Sequence, residues 1–440
     1  MSTRPANVRS GMHLLGATMV ACCLGLAVLA WQQPVPLWPP LGLYILAWLA
    51  FAGGVHCKKL SPSSILFWAF CMRLCVLCAP PLFEDDHYRY LWDGYLFLTQ
   101  GSPYQGAPLG YFDLAEKHPE QLQMVLGGIN YPDVPTIYPP VSQAGFLLAA
   151  WIAPGQWWAW KFVLAGFDLL ILGLLYRFFG ARALLLYAWN PLLLVEGLLN
   201  AHTDLIGISL VFLAWKGWAS PRKGVSMLGG AAAGFAIGAR WLALLPLAFL
   251  VVHRFRWSFV LPMVVALGAV TLPFLLPGDD LGLTGMRIMA EEWTFNPWGF
   301  AMLAGAFGDA LARTVGGCVL AVALACLCFF CWRRKLPVVN ASLMVWAAFF
   351  LVSPVINAWY MLWLFPWLCI KPSYTGFAAM AAVSLTWLTG LNLGSSELGL
   401  HELHPVALPL QIAIVITGLC LDLWLKTRPP SLRVHSGTSW

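Results

Sequence analysis

Charge is what this sequence lacks. Of its 440 residues only 10% are Asp, Glu, Lys or Arg, against 60% hydrophobic, and the mean hydropathy is +0.74. A soluble domain carries about 25% charged residues, so a soluble fold is excluded and an all-α polytopic membrane protein is expected. The net charge of +6 is no sign of nucleic-acid binding, because Lys and Arg fall in short scattered clusters that read as markers of membrane orientation. The chain also has no Walker loop, no His-Glu-x-x-His and no dinucleotide fingerprint. The two Cys-x-x-Cys pairs, Cys75/Cys78 and Cys328/Cys331, lie far apart in the chain and do not have metal-site spacing. Cys22, Cys23, Cys71, Cys75, Cys78, Cys326, Cys328 and Cys331 lie inside apolar runs and read as small apolar fillers. No internal repeat and no second domain is visible, so residues 1–440 read as one integral membrane domain.

What the chain does have is one polar island. Phe83-Glu84-Asp85-Asp86-His87-Tyr88-Arg89-Tyr90-Leu91-Trp92-Asp93-Gly94 packs carboxylates, a His, an Arg and aromatics into a dozen residues. As a helix it places Asp86, Arg89, Tyr90 and Asp93 on one face, a mixture suited to a wet membrane surface. Gly101 and Pro103 stop that helix.

Spans placed by apolar length and checked against Lys/Arg run near 11–31, 37–55, 63–82, 157–176, 183–199, 205–216, 257–276, 311–332, 338–355, 359–370, 374–392 and 405–425. Residues 225–252 make two short crossings broken at Gly238-Ala239-Arg240. The first 31 residues resemble a signal peptide, but the run from Gly11 is long enough to span and reads as a retained helix. Residues 138–153 are too short for an ordinary span and read as an interfacial or re-entrant helix. The count is about 11 to 14 helices. With Arg4, Arg9, Lys58, Lys59, Arg333-Arg334-Lys335, Lys426, Arg428 and Arg433 inside, the polar loops 83–137 and 277–297 lie outside. So do His202/Asp204, Arg240, Glu291/Glu292/Asn296 and Asn357/Tyr360. Ionisable groups at the membrane edge are candidates for function.

Each candidate has a plainer reading. Adjacent acids are commonly just solvated, but Asp85 and Asp86 follow an apolar span directly and can supply a general base and a partner that tunes it. His202 and Asp204 could be a helix cap, yet they sit between apolar runs after Asn190-Pro191 and Glu196. Arg240 could snorkel; the alternative is phosphate recognition by its guanidinium fork, with Arg89 as a second candidate. Tyr138-Pro139-Pro140 is a stiff helix start, and Trp359 and Tyr360 fit an interfacial belt. By ligand type Asp85, Asp86, His202 and Asp204 could bind a divalent metal, but no metal or other cofactor is favoured.

The run Asp85 to Gly94, followed by Gly101-Ser102-Pro103-Tyr104, resembles the first exoplasmic motif of GT-C glycosyltransferases. Among these it is most similar to bacterial polyprenyl-phosphate-mannose-dependent mannosyltransferases of the glycosyltransferase 87 kind. Further pieces follow in the same order: Pro135 to Pro140, Trp189-Asn190-Pro191, Asn200-Ala201-His202-Thr203-Asp204, Gly234 to Arg240 (where Lys is more usual), Trp293 to Asn296, and Ser353 to Tyr360 (where Ala358 replaces a commoner Pro). The resemblance covers roughly 80–370. It implies a GT-C fold with exoplasmic juxtamembrane helices in the first large loop. It also implies a polyprenyl-phosphate sugar donor, a glycolipid or glycan acceptor, inversion at the anomeric carbon, and usually no metal. Asp86 matches the general base, standing four residues before Tyr90 and 17 before Pro103. The catalytic candidates are thus Asp86, Asp85, His202 and Asp204. The substrate-binding candidates are Arg89, Tyr90, Asp93, Arg240, Asn296, Asn357 and Tyr360. The expected site is the periplasmic face of a bacterial inner membrane, among membrane lipid. A lipid or solute transporter is the rival expectation; against it stand the missing inverted repeat and the gathering of polar clusters on one face. A non-catalytic assembly subunit would keep the same fold without turnover.

Overall fold

The computed structural model describes residues 6–32, 34–57 and 60–427, with side chains from residue 11. The orientation markers Arg4, Lys58, Lys59, Arg428 and Arg433, and the side chain of Arg9, lie outside what is described. Among the described residues helices are the only regular secondary structure, and the only β pairing is two isolated bridges. In order the helices are α1 Ala6–Leu29, α2 Trp38–Val55, α3 Pro62–Leu77, α4 Asp86–Gln100, α5 Glu120–Gly127, α6 Pro140–Ile152, α7 Trp157–Phe178, α8 Gly180–Ala188, α9 Asp204–Ala219 and α10 Lys223–Ala239. There follow α11 Leu244–His253, α12 Trp257–Leu275, α13 Leu283–Glu292, α14 Phe300–Phe307, α15 Asp309–Arg333, α16 Val338–Val352, α17 Phe365–Leu368, α18 Tyr374–Ala382, α19 Gly390–Leu393 and α20 Ala407–Thr427.

Among the described residues six helices are long and apolar enough to cross a bilayer: Gly11–Leu29 within α1, then α2, α7, α12, α15 and α20. The apolar windows of α12, α15 and α20 are only 22%, 17% and 11% buried within the protein. Leu261, Val264, Val322 and Ile416 stand exposed along them. Bands of apolar surface on that scale are unfavourable against water and compatible with hydrocarbon. The chain is an integral membrane protein.

The span count needs correction. Six helices pass on length and composition, or seven if α8 and the π-helix Leu193–Leu199 form one bent span. Adding the shorter apolar helices α3, Trp241–His253 and α16, with α6 kept as the interfacial helix, brings the seven to ten, one short of the expected range. Residues 183–199 are not one straight crossing: the two pieces bend by 62° at Trp189-Asn190-Pro191, where Pro191 cannot supply a backbone donor. Residues 359–370 form a 3-10 helix, Ala358–Leu364, and the four-residue α17. Residues 374–392 break into α18, a 3-10 turn Val383–Trp387 and α19. By contrast, 138–153 is the 13-residue α6, and the interruption expected at Arg240 is present. There φ is −153° and ψ 127°, so α10 ends and a new helical segment begins at Trp241.

The chain divides into two compact units. The first comprises 1–83, 169–201 and 357–440; the second comprises 84–168 and 202–356. In the first, α1 packs on α2 and α3, and α3 on α8. The α8 break exposes backbone groups that apolar surroundings cannot satisfy, and buried side chains meet them. Arg73 Nη1 donates to the Ala188 carbonyl at 2.8 Å and to Ala69 at 3.2 Å, Trp189 Nε1 donates to Ile65 at 3.1 Å, and Asn190 Oδ1 accepts the Leu192 amide at 2.9 Å. Further along, the fully buried Glu196 accepts from Asn200 Nδ2 at 3.0 Å and Trp387 Nε1 at 3.2 Å, while Asn200 Oδ1 accepts the Leu82 amide at 3.0 Å. Replacing Asn200 by Ala strips the Leu82 amide of its acceptor. The expected loss is about 1–3 kcal/mol, read as a lowered unfolding temperature in detergent.

In the second unit α10 lies against α9 and α12, α4 against α6, and α15 against α16. The core beneath α4 is aromatic: Tyr90 stacks on Phe146 (ring centroids 4.9 Å, 11°) and meets Tyr138 and Trp160 edge-on at 5.2 and 5.6 Å. Gly94 permits this approach, since a Cβ there would run into the Phe146 carbonyl oxygen. Gly94→Ala should therefore push α4 off α6, at about 1–3 kcal/mol, the usual cost of overpacking. Thermal unfolding in detergent reads this directly. α4 ends at Gly101, whose φ of +79° forms a left-handed cap that donates to the Phe97 carbonyl.

Candidate functional site

α4 is helical where the spacing requires, so Asp86, Arg89, Tyr90 and Asp93 do share a face. That face is not the wet surface expected. Tyr90 and Asp93 are each 1% exposed, and the face turns inward onto α6 and the 134–138 segment. Asp93 is saturated there: Thr136 Oγ1 donates to it at 2.5 Å, Gln143 Nε2 at 2.9 Å, and Arg89 Nε lies 3.3 Å away. Arg89 also donates to the Val134 carbonyl. Arg89 and Asp93, candidates for substrate contact, thus form a brace that holds 134–138 to α4. Burial raises the Asp93 carboxyl, against the pull of Arg89 and the two donors.

Asp86 is different. It opens α4, after Asp85 in the N-cap position, and keeps 29% of its side chain accessible. Burial raises its carboxyl to about 7, the charge of Asp85 adds to the rise, and Arg240 and the Tyr90 hydroxyl oppose it. The Tyr90 hydroxyl donates to Asp86 Oδ2 at 3.3 Å. His202 Nε2 stands 3.9 Å from the same oxygen, close enough to feel its charge and beyond hydrogen-bond range.

The 200–204 segment and the break after α10 bring in the rest. Asp204 begins α9, where a helix N-terminus favours a carboxylate. Although fully buried, it takes Arg240 Nη2 at 3.0 Å. Arg240 can reach it because α10 stops there in extended backbone, with the guanidinium 5.0 Å over the Tyr138 ring. Ser142 ties the pieces together, donating to the Ala239 carbonyl at 2.8 Å and accepting from Thr203 at 3.1 Å. Tyr104 Oη donates to the Tyr138 carbonyl at 3.0 Å. The second unit therefore brings together Asp85, Asp86, Tyr90, His202, Asp204 and Arg240: three carboxylates, a phenol, an imidazole and one guanidinium.

Other candidates are placed elsewhere. Asn296 is buried with φ of +49° and donates to the Ile356 carbonyl at 3.2 Å, pinning the segment that pairs Phe295 with Val355. Asn357 and Tyr360 belong to the first unit, around the 3-10 helix Ala358–Leu364. Thr136 and Thr203 lay inside motifs without being site candidates, and Ser142 and Gln143 were not singled out in the sequence. Their signal was there: Ser142-Gln143 is the only polar pair in α6. His87, inside the motif, is pushed down to about 4 by burial, against the pull of the Glu84 carbonyl bonded to its Nδ1 at 3.1 Å, and is neutral at physiological pH.

Glu84 and Asp86 both bring a carboxylate oxygen near His202, within 4.8 Å and at 3.9 Å respectively. By ligand type such donors suit a hard or borderline divalent ion. No known family, curated protein or solved structure matches this chain.

Proposed function

We propose that this protein is a membrane hexosyltransferase. In this reading it moves a sugar, mannose by the sequence resemblance, from a polyprenyl-phosphate donor to a glycolipid or glycan acceptor on the outer face of the membrane, with inversion and the overall GT-C architecture. The observation that carries the proposal is the presence, within one unit, of a partly accessible carboxylate raised to about 7 and an arginine whose charge bears on it from its ion pair with Asp204. Asp86 takes the proton of the acceptor hydroxyl, whose oxygen forms the new bond to the anomeric carbon. The bond from that carbon to the phosphate oxygen breaks, and the polyprenyl phosphate leaves as a monoester dianion. The leaving group needs a cation rather than a proton, and Arg240 supplies it. Tyr90 and His202 orient and tune the base.

The test is transfer from labelled polyprenyl-phosphate mannose into membrane lipid extract by purified protein, with the product identified by mass spectrometry. Transfer from GDP-mannose in a lipid-free assay would refute the donor class. Orientation is tested at an exposed loop position: Gln105→Cys, in a protein without native cysteines, should label with an impermeant thiol reagent from outside. Labelling from the cytoplasmic side alone would invert the topology.

A further inference from the structure

Beyond the C-terminal end of α4 the second unit has a shallow recess of about 460 Å³, lined by Gln105, Gly106, Leu109, Gly110, Tyr111 and Asp133 among others. It is anchored to α4. Tyr111 Oη donates to Gln100 Oε1 at 3.0 Å and its ring meets Trp92 edge-on at 5.5 Å, while Gln105 Nε2 reaches the Gln100 carbonyl at 3.4 Å. The Leu109 amide donates to the Pro132 carbonyl at 2.8 Å, joining the two sides of the recess. Fourteen residues separate Asp86 from Gln100, so the recess lies about 21 Å along the helix axis from the base at 1.5 Å per residue.

Its chemistry is specific. The lining offers one exposed carboxylate, one exposed carboxamide, an aromatic ring and glycine backbone, and no Lys, Arg or His. A phosphate or other anion would meet Asp133 without a counter-charge. A neutral hexose has what this surface lacks: adjacent hydroxyls to donate to Asp133 and share with Gln105, and an apolar ring face for Tyr111. A Cβ built on Gly106 or Gly110 meets nothing within 4 Å, so the space over them is open.

We propose that this recess is a glycan subsite, and that the acceptor is a chain of several hexoses whose far end rests there while its terminal hydroxyl reaches Asp86. The acceptor role rests on the glycosyl-transfer reading; the glycan site does not. A single hexose cannot cover the distance, so the proposal names the acceptor class as an oligosaccharide or polysaccharide.

The experiment measures binding without donor, so that no turnover enters. Purified full-length protein in detergent is titrated with mannose, glucose and linear manno- and gluco-oligosaccharides long enough to cover the span, followed by calorimetry and saturation-transfer NMR. At least one oligosaccharide should bind roughly tenfold or more tightly than its monosaccharide. Asp133→Ala, which removes an exposed side chain, and Gly110→Leu, which fills the recess, should each abolish that gain without changing the unfolding temperature. Equal affinity for monomer and oligomer, no oligosaccharide binding, or full binding in both variants overturns the proposal. Recess-dependent binding by a protein that transfers no sugar supports the glycan site and counts against the transferase reading alone.

Discussion

Asp86→Asn is expected to lower turnover by about 10²–10⁴-fold while leaving donor binding intact, because it keeps the shape of the side chain and removes the base. The pH dependence makes the assignment sharper. A base raised to about 7 must be ionised to act, so wild-type activity should climb with pH to a half-maximum near 7 and fall about tenfold per unit below it. Asp85 contributes to that rise, so Asp85→Asn should retain activity and move the limb to lower pH. Stability carries the opposite sign. The native carboxyl holds its proton more tightly than an unfolded one at 3.8, so this group's contribution to folding is full below about pH 4 and lost as pH rises through 7. The Asn variant should therefore unfold at a higher temperature than wild type at pH 8 and at the same temperature near pH 3.5. An Asp86→Asn protein with normal turnover would remove the main support for the enzymatic reading.

Arg240→Ala should affect three measurements together. Donor affinity and turnover both fall, turnover by about 10²–10³-fold, the usual loss on removing one preorganised charge stabiliser. Stability drops by about 3–5 kcal/mol, because fully buried Asp204 loses its guanidinium. Since Arg240 holds the Asp86 carboxyl down, the activity limb moves to higher pH, opposite to Asp85→Asn. Arg240→Lys separates the roles: a single ammonium keeps the charge near Asp204 but loses the fork that matches phosphate oxygens. Its unfolding temperature should recover more than its donor affinity. Full recovery of both would mean that Arg240 acts as a point charge.

Much of this arrangement was legible because unfavourable residues are conspicuous in an apolar chain. Asp85, Asp86, His202, Asp204 and Arg240 stood out as charges with no place in hydrocarbon, and the structure brings all five into one unit. Pro140 marked the start of α6, and Gly101 the end of α4. What the sequence hid was direction. Helical spacing places Arg89 and Asp93 on the face of Asp86, but not that this face is buried, with Thr136 and Gln143 waiting for Asp93. Apolar length also hid the 62° break within 183–199 and the short 3-10 helix and α17 that make up 359–370. A fully buried π or 3-10 segment is as hydrophobic as a span, and composition cannot distinguish protein from lipid as its surroundings.

Neither unit is a continuous stretch of chain, and this bears on biosynthesis. The polypeptide passes between them after Phe83, Asp168, Ala201 and Ile356. As synthesis proceeds from the N-terminus, the second unit has all its residues once Ile356 has been made. The first still waits for 357–440, including Trp387, the partner of Glu196. Until then a buried carboxylate in the earlier-made part lacks one of its donors. A ribosome stalled far enough past residue 356 for Ile356 to have left the exit tunnel should therefore carry a protease-resistant second unit beside a protease-sensitive first one, and resistance of the first should appear only after the last helix has been released.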